Sequence, residues 1–249
     1  MSSSSSSVWR RVALSIGVPA WVFLGFILAQ ALLLVVISAL QYVGVVFSAF
    51  NPFLLNAILS VVIYALALLL VIGLPWAIKR YRTSLSELGV HRWPNWKDGI
   101  WLPLGAVGYV ILSALLTSVA LVVLPFFDSQ QPQDTGFSGI SGQFEYILAF
   151  VVLVIVAPVA EEVLFRGYLF GKLRKYAPVW VAVLVTSVVF AVVHFQWNVG
   201  VDVFALSIVL CVLRIITGSL WPAIFLHMAK NGLAFYLLFI NPLALGILG

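Results

Sequence analysis

Charge is scarce in this chain: 8% of its 249 residues are Asp, Glu, Lys or Arg, against about 25% in soluble globular domains. Cysteine is scarcer still. The single Cys211 excludes an internal disulfide framework and a cysteine-built metal centre, and in its apolar surroundings it reads as a small buried hydrophobe. The histidines are His91, His194 and His227, so no His-Glu-x-x-His occurs and the zinc site which that motif builds is excluded. A pair of membrane aspartates is missing too, since only Asp202 falls within an apolar run. Net charge is +5, a small excess best explained by membrane topology, and a nucleic-acid partner is excluded. What is abundant is hydrophobicity: 63% of the residues are apolar and mean hydropathy is +1.17, the composition of an integral membrane protein.

Apolar runs long enough to span a bilayer, about 20 residues each, fall near 13–39, 54–78, 99–124, 146–171, 178–197, 200–218 and 219–240. The pattern predicts an all-α polytopic bundle of about 7–8 transmembrane helices, the last three short enough to be broken or re-entrant. Residues 1–11, with a run of serines, read as a disordered N-terminal tail. Residues 12–143 carry the first membrane helices and a basic loop. In that loop Leu85, Leu88, Trp93 and Trp96 among basic residues suggest an amphipathic interfacial segment. Residues 241–249 form a tail or partial helix. Most basic residues lie in three places: Arg10 and Arg11; Lys79, Arg80, Arg82, Arg92 and Lys97; Lys172, Arg174 and Lys175. The positive-inside rule makes these sites and the N-terminus cytoplasmic, with a bacterial plasma membrane as the expected location.

The chain changes character near residue 144. Earlier apolar runs hold no charge, whereas later ones hold Glu161, Glu162, Arg166, His194, Arg214, His227, Lys230 and Asn231, groups costly in hydrocarbon that usually face a bundle interior. Glu162 and Arg166, four apart with the acid first, can pair along one helix face, but neighbouring Glu161 projects about 100° away and has no local counter-ion. A buried carboxylate of that kind suits proton exchange. Pro158 frees a carbonyl one turn back and is expected to kink the helix. His194 shares a face with Phe190, while His227 and Asn231, also four apart, place an imidazole and a carboxamide on one stripe able to hold an oxyanion or a metal. Lys230 and Arg214 read as snorkelling side chains. Gly136-Phe137-Ser138-Gly139 matches the Gly-x-Ser-Gly of rhomboid serine proteases, but that chemistry leaves both glutamates, Arg166 and Asn231 without a role.

Three motifs in order, Glu161-Glu162-x-x-x-Arg166, Phe190-x-x-x-His194 and His227-x-x-x-Asn231, resemble the CPBP family, the type II CAAX prenyl protease and bacteriocin-processing group also called Abi. The resemblance covers residues 144–240, including Thr217-Gly218-Ser219-Leu220-Trp221-Pro222-Ala223. It implies an intramembrane endopeptidase whose cavity opens to the cytoplasmic side and whose substrate is a membrane-associated peptide or protein, in CAAX-type processing or bacteriocin maturation and immunity. Glu161 and His194 would position and deprotonate water, His227 and Asn231 would stabilise the oxyanion, and Glu162 with Arg166 would fix the helix. The same residues permit a second arrangement in which Glu161, His194 and His227 hold Zn²⁺ and leave a position open for water. A rival from another class is a non-catalytic membrane protein, a small transporter or a stabilising partner, with the polar residues forming an ion path. Measured from the helix ends, Glu161, His194 and His227 lie at different depths. The expectation is that tilt, the Pro158 kink and a last helix that begins inside the membrane at Pro222 together bring them to one level.

Overall fold

A computed structural model describes residues 2–78, 82–128, 131, 133–137 and 139–242. Lys79, Arg80, Ser138 and residues 243–249, which figure in the sequence expectations, lie outside this set. Among the described residues eight helices organise the fold: α1 (Ser2–Tyr42), α2 (Pro52–Ile78), the short α3 (Leu85–Leu88), α4 (Trp96–Val123), α5 (Gln143–Leu173), α6 (Val179–Val192), α7 (Trp197–Thr217) and α8 (Trp221–Ile240). Six are long and apolar enough to cross a bilayer, whereas α6 has 14 residues and reaches only about 21 Å. The serine run expected to be a disordered tail stands in the opening turns of α1, a helix propagating outward from an apolar segment that has already met the cost of nucleation.

The bundle is apolar on both its inner and outer faces, as expected where lipid replaces water. Buried Val22 and Ala29 of α1, Ala67 and Val71 of α2, Leu164, Phe165 and Leu169 of α5, and Phe190 of α6 make one packed core. Leu206, Leu210 and Leu213 of α7 with Ala223 and Leu226 of α8 make another, against α4. Gly105 lets α4 approach: a Cβ there would come within 2.8 Å of Leu226.

Helix α5 is irregular in a way its sequence explains. It passes through wide, π-type turns at Val151–Val156 and again at Val163–Leu169, with Ala157–Glu162 between them in ordinary α geometry. At the end of the first wide turn the Ala157 N–H bonds Val152 O, five residues back. In that register the next carbonyl, Leu153 O, would take its proton from residue 158, which is proline and has none. The orphaned carbonyl instead accepts a hydrogen bond from Asn231 Nδ2 of α8 at 2.9 Å.

At the end of the bundle that carries the basic loops, residues 84–92 form a roof. Ser84 and Glu87 close a reciprocal cap on α3. The Glu87 carboxylate pairs with Lys175 and, at 3.4 Å, with Lys172, while its backbone carbonyl accepts from Arg214. Gly89 has φ +84°, and a Cβ there would lie 2.5 Å from the Arg214 guanidinium, so only glycine fits. Its carbonyl accepts from Leu220 N at 2.9 Å, and Trp221 Nε1 donates to Arg92 O at 2.8 Å. Arg214 is 2% exposed and also bonds Gly218 O, so it is a structural tie and not the snorkelling side chain expected. Ser219 and Leu220 are buried beneath this roof, and α8 therefore starts inside the molecule. Leu88 points into the core, while Leu85, Trp93 and Trp96 stay exposed, the division an interfacial segment needs.

The Lys175 ammonium beside Glu87, helped by the Ser84 cap, holds its carboxyl at about 2, below the ordinary 4.5. A depressed carboxyl contributes stability that is complete above 4.5 and is lost as pH falls toward 2. Glu87→Gln should therefore lower the melting midpoint of the detergent-solubilised protein at pH 7, and the difference from wild type should close as pH falls from about 4.5 to about 2. Equal midpoints at pH 7 would show that the roof is not held by this pair.

Candidate active site

The short α turn between the two wide turns of α5 presents Glu161 and Glu162, and α8 brings His227 against both. Glu162 is wholly buried, and one of its oxygens, Oε1, serves two partners: Arg166 Nη1 donates to it at 2.8 Å and His227 Nδ1 at 2.8 Å. An ionised carboxylate only accepts, so Nδ1 is the protonated nitrogen of His227 and Nε2 is turned toward Glu161, whose Oε2 lies 3.7 Å away. The other oxygen of Glu161 accepts from Tyr64 Oη of α2 at 2.6 Å. Glu161 is 9% exposed and His227 3%, so this charge is held inside the bundle.

Phe190 joins the parts. The Arg166 guanidinium lies 4.1 Å over its ring, and the rings of His194 and His227 meet it edge-on at 4.9 and 5.9 Å. The two histidines thus share one aromatic wall. His194 Nδ1 donates to Phe190 O at 2.7 Å, which leaves Nε2 as the free nitrogen, an acceptor in the neutral ring. Phe195, the next residue, holds a left-handed φ of +53° as α6 turns toward α7.

All six expected site residues, Glu161, Glu162, Arg166, His194, His227 and Asn231, lie on α5, on α8 or at the end of α6. Among the described residues no three His, Cys, Asp or Glu side chains stand grouped closely enough to hold an ion. Each His227 nitrogen already faces a carboxylate, and the His194 Nδ1 is committed to a carbonyl. Asn231 spends one amide proton on Leu153 O. Finally, the hollows beside the site lie toward the end away from the basic loops. One of about 40 Å³ adjoins Asn231, Gln133 and Thr135, and an apolar one of about 560 Å³ lies between α4, α6 and α7 beside Phe195. At the basic end the 84–92 roof is tied to α7 and to the start of α8 by Arg214 on Glu87 O and Leu220 N on Gly89 O.

Two polar groups stand differently from the sequence reading, one unassigned there and one read as snorkelling. Tyr64 was hidden because a tyrosine in an apolar helix carries no signal of what its hydroxyl meets. Lys230 does not snorkel but pairs with Asp202 of α7 at 3.1 Å, and Tyr109 and Ser113 of α4 donate to the same carboxylate at 2.7 and 2.8 Å. A signal for that pair existed: an acid and a base in consecutive apolar helices, each without a local partner.

Residues 143–233 match the family model described as type II CAAX prenyl endopeptidase Rce1-like. UPF0177 protein YxdF of Lactococcus lactis is 34% identical over 136 residues, 53% of this chain and 70% of that protein. The membrane-embedded CAAX protease MroQ of Staphylococcus aureus is 24% identical over 152 residues, 58% of this chain and 61% of its own length. An uncharacterized 24.3 kDa protein of Escherichia coli is 30% identical over 138 residues, 61% of its length, so the chain spans less than two thirds of these last two relatives. No solved structure matches the chain significantly. With the glutamate, histidine and asparagine motifs falling inside the matched segment, the chain belongs to the Rce1-like CPBP family of membrane-embedded proteases.

Proposed function

We propose that this chain is an intramembrane endopeptidase that hydrolyses a peptide bond of a membrane-associated protein or peptide with water activated by Glu161. The observation that carries this is the pairing of Glu161 Oε2 with the Nε2 edge of His227 across 3.7 Å, in a buried site where Oε1 is already occupied. That separation is too long for a direct hydrogen bond, and a water can contact both atoms from the side.

In the proposed reaction water gives a proton to Glu161 Oε2 while its oxygen bonds the scissile carbonyl carbon. The lone pair of His194 Nε2 accepts the second water hydrogen and orients it. The carbonyl π electrons move to oxygen, and this oxyanion accepts a hydrogen bond from the Asn231 amide N–H not used by Leu153. His227 adds a donor from Nε2 when its ring carries a second proton. One such donor is typically worth about 2.7–4 kcal/mol in the transition state. Glu161 then returns its proton to the leaving nitrogen, the C–N bond breaks, and the products are a carboxylic acid and an amine. The substrate would be of the CAAX type or a bacteriocin-like precursor. The membrane would be a bacterial plasma membrane, with the N-terminus and basic loops cytoplasmic.

The decisive experiment compares protein and peptide termini by quantitative mass spectrometry in native membranes holding wild type or Glu161→Gln at equal abundance. Uncut precursors should accumulate only with the variant. Identical termini, together with a phenotype on deletion of the whole chain, would favour a non-catalytic membrane partner instead. Arg166→Met should behave differently from Glu161→Gln. It strands the Glu162 charge, and breaking a buried pair costs about 3–5 kcal/mol, so the melting midpoint should fall while that of Glu161→Gln stays near wild type. A midpoint unchanged by Arg166→Met would contradict the structural role of the pair.

A further inference from the structure

The family-matched segment begins at residue 143, yet one oxygen of Glu161 is held by a residue 97 positions upstream. We infer that Tyr64 is a positioning residue for Glu161, so that the active site extends beyond the matched segment into α2. The inference rests on Glu161 being the base, and it adds a contributor that the motifs do not contain.

A glutamate side chain has three torsions, and the last, at the carboxylate, is broad. Burial alone does not decide which oxygen meets a water. The Tyr64 hydroxyl decides it. At 2.6 Å its hydrogen bond lies in the short range typical of O–H donors on carboxylates, and it occupies Oε1, leaving Oε2 to face His227. Tyrosine suits the task because only two torsions place its hydroxyl, and because a phenol in hydrocarbon has strong reason to keep its one partner. Small residues let the helices come close enough: Ala57 and Ala67 on α2, and Ala157 and Ala160 on α5, are all buried.

The bond also survives turnover. When Oε2 takes the proton from water, Oε1 becomes the carbonyl oxygen of a neutral acid and still accepts from Tyr64. The phenol gives up no proton at any step. It therefore holds the base in one orientation both when the carboxylate removes a proton and when it returns it.

The test uses the full-length protein in liposomes and, as probe, a synthetic peptide spanning the cleavage junction of the precursor that accumulates with Glu161→Gln. Tyr64→Phe keeps the ring and removes only the donor. It should lower kcat by about 10- to 100-fold and leave KM within about twofold, because misplacing a reacting group affects the chemical step more than binding. Combined with Glu161→Gln it should cause no loss beyond that of Glu161→Gln alone, since the two residues act through one atom. Should Tyr64→Phe insert poorly, Tyr64→Met at matched abundance gives the same readout. If Tyr64→Phe cleaves at the wild-type rate while Glu161→Gln is inactive, the inference is wrong and the base assignment stands. If Tyr64→Phe raises KM with kcat unchanged, Tyr64 belongs to substrate binding and the inference is again wrong. If no precursor accumulates with Glu161→Gln, the base assignment fails and the inference falls with it.

Discussion

One oxygen of a buried carboxylate, Glu162 Oε1, accepts a hydrogen bond from Arg166 on its own helix and another from His227, 65 residues further along the chain. Two charges this deep are stable only together, and Phe190, lying against both the guanidinium and the imidazole, closes the arrangement from the side. The remaining site geometry follows from that one contact. With Nδ1 bound to Glu162, the His227 ring has a single orientation left, which directs Nε2 at Glu161. The adjacent glutamates thus have separate tasks: Glu162 is consumed by structure, and Glu161 keeps an oxygen free for chemistry.

Helix α8 is set by three polar anchors that leave it in different directions. His227 meets α5 through Glu162, Asn231 meets α5 through Leu153 O, and Lys230 meets α7 through Asp202. In a bilayer, where apolar contact between helices is hardly preferred to contact with lipid, such anchors determine rotation and depth. Pro158 and the wide turn before it are part of the same design, since they supply the unpaired carbonyl that Asn231 requires. The roof of residues 84–92 then lets α8 begin below the basic end, which brings His227 to the level of Glu161.

Much of this was legible in the sequence where the partners are close along the chain. The Glu162–Arg166 pair follows from four-residue spacing, the disturbance at Pro158 from its missing N–H, and the inward start of α8 from a conflict among depths. Contacts between distant helices were not legible. Hydropathy gives the depth of a residue but not the direction it faces, so Lys230 and Arg214 read as snorkelling when each has a hydrogen-bonded partner within the bundle. Nor does a tyrosine among leucines and valines announce that its hydroxyl meets a carboxylate 97 residues away. The proton positions were equally illegible: Tyr64 occupies one oxygen of Glu161, while Glu162 and the Phe190 carbonyl hold the Nδ1–H of His227 and of His194, which leaves Nε2 as the lone-pair nitrogen of each neutral ring.

The organisation of the site therefore turns on the protonation pattern of one ring, and histidine ¹⁵N spectroscopy of the protein in lipid bilayers reads that pattern directly. His227 should show a protonated Nδ1 whose proton is shared with a carboxylate, and that signal should be lost in Glu162→Gln. A His227 with its proton on Nε2 and a bare Nδ1 would contradict the account, because the carboxylate at the centre of the site would then have no proton to accept from it.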